Sequence, residues 1–189
     1  DDSECINEII VVTRSESVAE LSDIIDQAGL KKVKKVVEGG KTRAESSNIG
    51  VFHCSKNAKL IGIHDGARPY VSQKELDACK KQMKVSDACL LMVPVKDTIK
   101  VVDENGFIIS TPDRSSLIAI YTPQVFKFDL YKQAMQNAEQ QGKDYTDDCQ
   151  LVEALGEKVF VTQGSPTNIK LTTPEDIIIA ESFLSSKGE

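Results

Sequence analysis

Apolar residues fall along this chain in two alternating textures: short continuous runs, and longer stretches in which they recur every three or four positions. The first texture predicts buried strands and the second amphipathic helices. Ile9, Ile10, Val11 and Val12 form a β-branched run that predicts a strand over 8–13. Val18, Leu21, Ile24 and Ile25 repeat at helical spacing over 15–28, and Gly29 supplies the stop. A lysine-rich connection over 31–35 leads into a short strand built on Val33, Val36 and Val37. Gly39 and Gly40 then make a turn before a helix that starts near Thr42. Residues 60–63 read as a buried strand, and Ser72 with Glu75 forms a capping box that opens a helix to about Lys84. Residues 88–94 are continuously apolar, as in a parallel strand covered on both faces.

The rhythm then breaks. Residues 98–102 and 107–110 flank Asp103, Glu104, Asn105 and Gly106, and Asn-Gly between such segments predicts a β-hairpin. Its Ile and Val side chains would be exposed on an arm, and apolar patches of that kind call for a partner. A strand over 117–122 and a helix over 129–141, stopped by Gly142, come next. Thr146, Asp147 and Asp148 cap a helix to Leu155, with Gly156 at its end. A strand over 159–162 precedes a last helix with Pro174 at its first position. Strands alternating with helices, plus one hairpin insertion, predict a mostly parallel α/β sheet in a single domain over 1–189, with 97–114 as the arm.

The stretch around which these elements are organised is 61–70. An apolar strand stops abruptly at His64-Asp65-Gly66-Ala67-Arg68-Pro69. Such a strand delivers an acid and a guanidinium to its carboxyl end, where open α/β sheets place their ligands. On these residues alone a second reading stays open, a strand exit whose Asp caps a turn and whose Arg pairs with it.

Composition narrows the function. The 189 residues carry 40% hydrophobic and 28% charged side chains, ordinary for a globular chain. A formal net charge of -6 argues against a general nucleic-acid binder, although local Lys and Arg can still hold a small anion. Without tryptophan, and with aromatics at 5%, stacking platforms for single strands have little to draw on. No apolar run is long enough to span a bilayer, and no signal peptide is expected. Five scattered cysteines without a C-x-x-C pair, and two histidines outside ligand spacing, predict neither disulfide nor zinc framework; a cytoplasmic setting is expected. Gly40-Lys41-Thr42 imitates the end of a Walker A loop, but that motif needs a glycine where Lys35 stands. What remains there is a turn whose amides and Ser46 either hold a phosphate or sugar or simply cap the helix.

Seven motifs then occur in order. They are Gly39-Gly40-x-x-Arg43-x-x-Ser46, His64-Asp65-Gly66-Ala67-Arg68-Pro69, Pro94-Val95-Lys96-Asp97-Thr98-Ile99-Lys100 and Asp113-Arg114. Further along stand Thr122-Pro123-Gln124, Thr146-Asp147-Asp148 and Asn168-Ile169-Lys170-x-Thr172-x-Pro174-Glu175-Asp176. Together they resemble the 2-C-methyl-D-erythritol 4-phosphate cytidylyltransferases, nucleotidyltransferases of the non-mevalonate isoprenoid pathway. The resemblance implies a Rossmann-like nucleotidyltransferase sheet flanked by helices. It also implies transfer of a cytidylyl group from CTP to a polyol phosphate. Arg114 and Lys170 match catalytic residues that position the incoming phosphate, Arg114 from the end of the arm into the neighbouring subunit, which implies a homodimer. Asp65, Arg68, Thr98 and Thr122 match the lining of the polyol-phosphate pocket, and Gly40 and Ser46 match the cytidine side. Magnesium is expected on the CTP phosphates, with no metal-binding side chain assigned. Asp147 and Asp148 are read as capping residues and Cys149 as a small buried thiol.

Two departures accompany the match. The family's opening strand and glycine-rich loop, with an Arg and a Lys that wrap the triphosphate, have no counterpart in 1–189; a protein truly lacking that loop is expected to lose CTP affinity and turnover. Ser47 stands where a valine is more usual. The competing expectations are a cytidylyltransferase for ribitol 5-phosphate and a non-catalytic binding protein.

Overall fold

The computed structural model of the chain describes residues 1–142 and 145–185. Its strands are β1 (Ile9–Thr13), β2 (Val33–Glu38), β3 (Leu60–Ile63), β4 (Ala88–Pro94), β5 (Val101–Val102), β6 (Ile108–Ser110), β7 (Ile118–Lys127) and β8 (Phe160–Gln163). The α-helices are α1 (Val18–Gln27), α2 (Arg43–Phe52), α3 (Gln73–Gln82), α4 (Phe128–Gln141), α5 (Asp148–Glu153) and α6 (Pro174–Ser185). This is the expected mixed α/β architecture with a hairpin insertion. The main sheet has the order β3-β7-β4-β8, and β1 and β2 form a separate parallel pair. β4 and β8 are parallel, whereas β7 is antiparallel to both β3 and β4. Thus β3, β4 and β8 point the same way, and their carboxyl ends share one edge.

β4 shows why a continuous apolar run was needed. Ala88 and Leu90 face a core built with Val51 of α2, Tyr131, Ala134 and Ala138 of α4, and Leu151 and Val152 of α5. Cys89 and Leu91 face the other way, onto Cys79 and Met83 at α3. Both faces are therefore covered, and no polar alternation is possible along the strand.

Local signals hold in detail. The Ser72 capping box is formed, with the Ser72 side chain accepting from Glu75 N–H and the Glu75 side chain accepting from Ser72 N–H. Gly29, Gly142 and Gly156 leave their helices with φ of +64°, +60° and +82°. Pro174 is the first residue of α6. α1 begins three residues later than periodicity suggests, after a 3₁₀ turn over Ser15–Ser17.

β7 is the main difference from the sequence reading. It runs on to Lys127 instead of stopping at Thr122. Pro123 has no N–H for a ladder bond and so looks like a terminator. Here the register jumps around it: Leu90 pairs with Gln124 and the next residue, Leu91, with Tyr121. Thr122 and Pro123 bulge out, and the far half of the strand resumes pairing with both β3 and β4.

The hairpin is shorter than expected. Its loop closes on Asp103, whose Oδ1 accepts from the N–H groups of Asn105 and Phe107, and Gly106 sits at φ +86°. Phe107, Ile108 and Ile109 are 73%, 63% and 63% exposed.

Candidate active site

β3 delivers Asp65 to the carboxyl edge of the sheet, and three cations meet it there. Lys170 Nζ lies 3.1 Å from Asp65 Oδ2, Arg68 Nε 3.4 Å from the same oxygen, and Arg43 Nη2 3.8 Å from Oδ1. Each arrives by a different route. Arg68 belongs to the turn after β3, closed by Arg68 N–H donating to Asp65 O at 3.0 Å. Lys170 comes from the segment that follows β8, and Arg43 is the first residue of α2. Arg68 is pinned twice more: Nη1 donates to Asn168 O at 2.8 Å, and the guanidinium lies 4.3 Å from the centre of the Tyr121 ring. Burial would raise the Asp65 pKa, but the Lys170 hydrogen bond and the charges of Lys170, Arg43 and Arg68 outweigh it and hold the carboxyl below its ordinary value.

Thr122 stands beside this cluster at 5% exposure. Its Oγ1 accepts from Asp65 N–H at 3.1 Å and lies 3.0 Å from His64 Nδ1. His64 Nε2 lies 3.0 Å from Arg68 O, so Nε2 carries the donated proton and Nδ1 accepts from the Thr122 hydroxyl. Burial, ahead of every other influence, keeps His64 below the ordinary imidazole pKa, consistent with a neutral ring. The only proton of Thr122 is thereby spent within the protein, and toward a ligand it offers a lone pair.

Arg43 and Asp148 were read too blandly from sequence. In the sequence Arg43 stands in a motif with no role attached, and Asp148 reads as a cap. The cap is Asp147, which accepts from Gln150 N–H at 2.9 Å. Asp148 is 1% exposed, with Oδ2 2.6 Å from Arg43 Nη2 and Oδ1 accepting from the Tyr131 hydroxyl at 2.5 Å. Burial followed by the Asp148 charge pushes the Tyr131 phenol up. Gln124 Oε1 accepts from both Asp148 N–H and Cys149 N–H, fixing the start of α5 on β7. The signal available in the sequence was Arg43 itself, a cation at a helix N-terminus where the dipole disfavours it. Cys149 is buried and its pKa is pushed up by that burial, so it stays a thiol.

Gly40 and Ser46 form one unit. Gly40 N–H donates to Ser46 Oγ at 3.2 Å, and that hydroxyl donates to Thr42 O at 2.9 Å. The glycine is required: a Cβ on Gly40 would fall 2.3 Å from Glu45 Cβ. Among the described residues, no hydrogen bond or ion pair joins Arg114 or Thr98 to the Asp65 cluster. Arg114 Nη1 donates to Lys96 O at 2.8 Å at the base of the hairpin, and both residues are exposed. Among the described residues no group of three or more His, Cys, Asp or Glu is placed to hold a metal, and no helix is long and apolar enough to cross a membrane.

The site is thus a carboxylate ringed by three cations at the carboxyl edge of the sheet, and known structures identify the class. The crystal structure of the 4-diphosphocytidyl-2C-methyl-D-erythritol synthase from Anaerococcus prevotii superposes with a TM-score of 0.89 at 31% identity, over 97% of this chain and 81% of that one. The Thermus thermophilus 2-C-methyl-D-erythritol 4-phosphate cytidylyltransferase gives a TM-score of 0.77 at 28% identity, over 93% of this chain and 81% of that one. The fold is that of a nucleotidyltransferase. In sequence, residues 1–186 match the family described as IspD: 2-C-methyl-D-erythritol 4-phosphate cytidylyltransferase. A protein of that name from Alkaliphilus oremlandii is 40% identical over 190 residues, covering 100% of this chain and 80% of its own length. One from Caldanaerobacter subterraneus is 43% identical over 185 residues, covering 97% and 82%. The chain belongs to the 2-C-methyl-D-erythritol 4-phosphate cytidylyltransferase family.

Proposed function

We infer that the protein joins CTP and 2-C-methyl-D-erythritol 4-phosphate, giving 4-diphosphocytidyl-2-C-methyl-D-erythritol and pyrophosphate in isoprenoid precursor synthesis. The observation that carries the reading to this site is the convergence of Lys170, Arg68 and Arg43 on Asp65. A phosphate oxygen of the polyol phosphate attacks the α-phosphorus of CTP, the new P–O bond forms, and the bond to the pyrophosphate oxygen breaks. The attacking oxygen is already anionic, so the protein has to align two polyanions and offset their charge. Lys170 supplies a point charge for the incoming phosphate, and Arg68 a fork that suits phosphate or hydroxyl oxygens. Asp65 accepts from polyol hydroxyls, and Thr122 offers its lone pair beside it. The Gly40–Ser46 turn lies on the cytidine side.

Magnesium enters with CTP. The site offers one carboxylate, Asp65, already shared by three cations, and this donor set fits an ion held mainly by nucleotide phosphates and water, where it neutralises phosphate charge. Arg114, with Thr98 nearby on the hairpin base, acts across a homodimer interface made by the apolar arm. The setting is the cytoplasm, in keeping with five free cysteines. Pyrophosphate release by the full-length protein with CTP and magnesium tests the reading. Methylerythritol phosphate should turn over at least about a hundredfold better in kcat/KM than ribitol 5-phosphate. Preference for ribitol 5-phosphate, or no pyrophosphate with either acceptor, overturns it.

A further inference from the structure

Glu75 was legible in the sequence only as half of a capping box, yet it does two jobs. Its Oε2 accepts from Ser72 N–H at 2.9 Å and from the Ser72 hydroxyl at 2.8 Å. Its Oε1 points away from the helix, accepting from Ser165 N–H at 2.9 Å and from Asn168 Nδ2 at 3.4 Å. Four donors on two oxygens, at 4% exposure, is a pattern that only a carboxylate satisfies, since a carboxamide would set N–H against N–H on one side.

Asn168 is completely buried and is the hub that this carboxylate holds. Its Nδ2 also donates to Thr122 O at 3.0 Å, and its backbone carbonyl accepts from Arg68 Nη1 at 2.8 Å. The same segment is tied back to the Asp65 turn by Leu171 N–H donating to Ala67 O at 2.8 Å. Lys170 lies between these two anchors, Asn168 and Leu171. Gly164, at the start of the segment, donates to Met92 O at 2.8 Å, and a Cβ there would sit 3.2 Å from that oxygen.

We propose that Glu75 and Asn168 are positioning residues for acceptor binding, a buried clamp that sets Lys170 and Arg68 at Asp65 from the N-terminus of α3. Neither touches the substrate; both act through the two cations. The inference rests on the assignment of Lys170 and Arg68 to the polyol phosphate. The clamp spans three elements, so the cations are placed by the body of the fold and not by a free loop.

The test is steady-state kinetics of Asn168→Ala and Glu75→Gln in the full-length protein, with thermal unfolding as the check on folding. The expected result is a rise of about tenfold or more in KM for the polyol phosphate, and a loss of about a hundredfold in kcat/KM, with KM for CTP changed less than about threefold. A purely structural role would instead lower the yield of active enzyme and affect both substrates alike. In the Lys170→Ala background, Asn168→Ala should cost clearly less than it does alone, because one of the two cations it positions is gone. Equal effects on both KM values, full additivity with Lys170→Ala, or loss of the fold in both single variants would overturn the proposal. Wild-type turnover in the same assay keeps this outcome separate from failure of the substrate assignment.

Discussion

Asp148 Oδ2 lies 2.6 Å from Arg43 Nη2, and the two groups are buried unequally: the Asp148 side chain is 1% exposed and that of Arg43 is 39% exposed. Burial lowers the Arg43 pKa, and the charge and hydrogen bond of Asp148, then the charge of Asp65, more than reverse this. Asp148 thus holds a cation where the N-terminus of α2 would repel it, aimed at Asp65. The inequality makes the pair asymmetric to mutation. Arg43→Ala strands a carboxylate in the interior and is expected to cost about 3 kcal/mol. Asp148→Asn leaves a guanidinium that can turn to water and should cost only about 1–2 kcal/mol, since solvent screens the exposed partner. Urea unfolding of both variants with unchanged m decides it, and a costlier Asp148→Asn would contradict the assignment.

Arg114 is bonded to the Lys96 carbonyl at the hairpin base, whereas Lys170 is bonded to Asp65. If Arg114 serves the neighbouring subunit, Arg114→Ala and Lys170→Ala should each lower turnover by about a hundredfold alone and complement when mixed. Random exchange leaves one intact site in each heterodimer, so about a quarter of wild-type activity should return. No recovery after subunit exchange would place both residues in the same site.

Gly40 is tested by its missing Cβ. In Gly40→Ala the methyl group falls 2.3 Å from Glu45 Cβ and 2.6 Å from Glu45 Oε2, the oxygen that bonds Lys41 N–H. The turn must open, and the Gly40–Ser46 bond with it. KM for CTP should rise about tenfold, a loss of about 1.4 kcal/mol of binding, while KM for the polyol phosphate stays near its wild-type value. An unchanged KM for CTP would remove this turn from the nucleotide site.

His64 gives the site a pH dependence with a definite sign. Its pKa in the fold is lowered, first by burial, and the nearby charges of Asp65 and Arg68 act in opposite directions on it. The unfolded chain therefore binds the proton more readily than the folded one. The stability this ring contributes is complete above the ordinary imidazole pKa and is lost as pH falls through the lower folded value. Asp65, also lowered, adds a loss of the same sign at more acid pH. His64→Gln should flatten the first part of the curve and leave the second. A wild-type stability that rises as pH drops from 7 to 5 would refute the neutral-ring assignment.

Much of the fold was legible because local signals and burial agree: the apolar run of β4, the Ser72 capping box and the glycine stops at 29, 142 and 156 all mean in the structure what they mean in the sequence. β7 was misread because Pro123 carries a local signal for termination while the pairing that overrides it is made by residues far away in the chain. The same limit applies at the site. Asp65, Arg68 and Lys170 stand in recognisable motifs, and the structure brings them together. Asp148 and Glu75 read as caps in the sequence because capping is a property of four consecutive residues. Their second partners, Arg43, Ser165 and Asn168, lie far off in sequence, and no periodicity points to them.

The arm carries the remaining prediction. β5 and β6 form a hairpin of two very short strands, too small to be stable alone in water. Its apolar side chains are left in solvent on both faces: Val102 is 54% exposed, Phe107 73%, Ile108 63% and Ile109 63%. In the homodimer proposed above, this apolar surface is where a second copy packs, and Arg114, a few residues beyond β6, reaches the neighbouring site. Ile108→Asp with Ile109→Asp should therefore yield a monomer by light scattering at micromolar concentration. The midpoint of unfolding of the sheet and helices should hardly move, because neither side chain belongs to the buried core. Turnover should nevertheless fall to the level of Arg114→Ala, and adding Arg114→Ala to the double variant should reduce it no further. A fully active monomer would detach both the arm and Arg114 from catalysis.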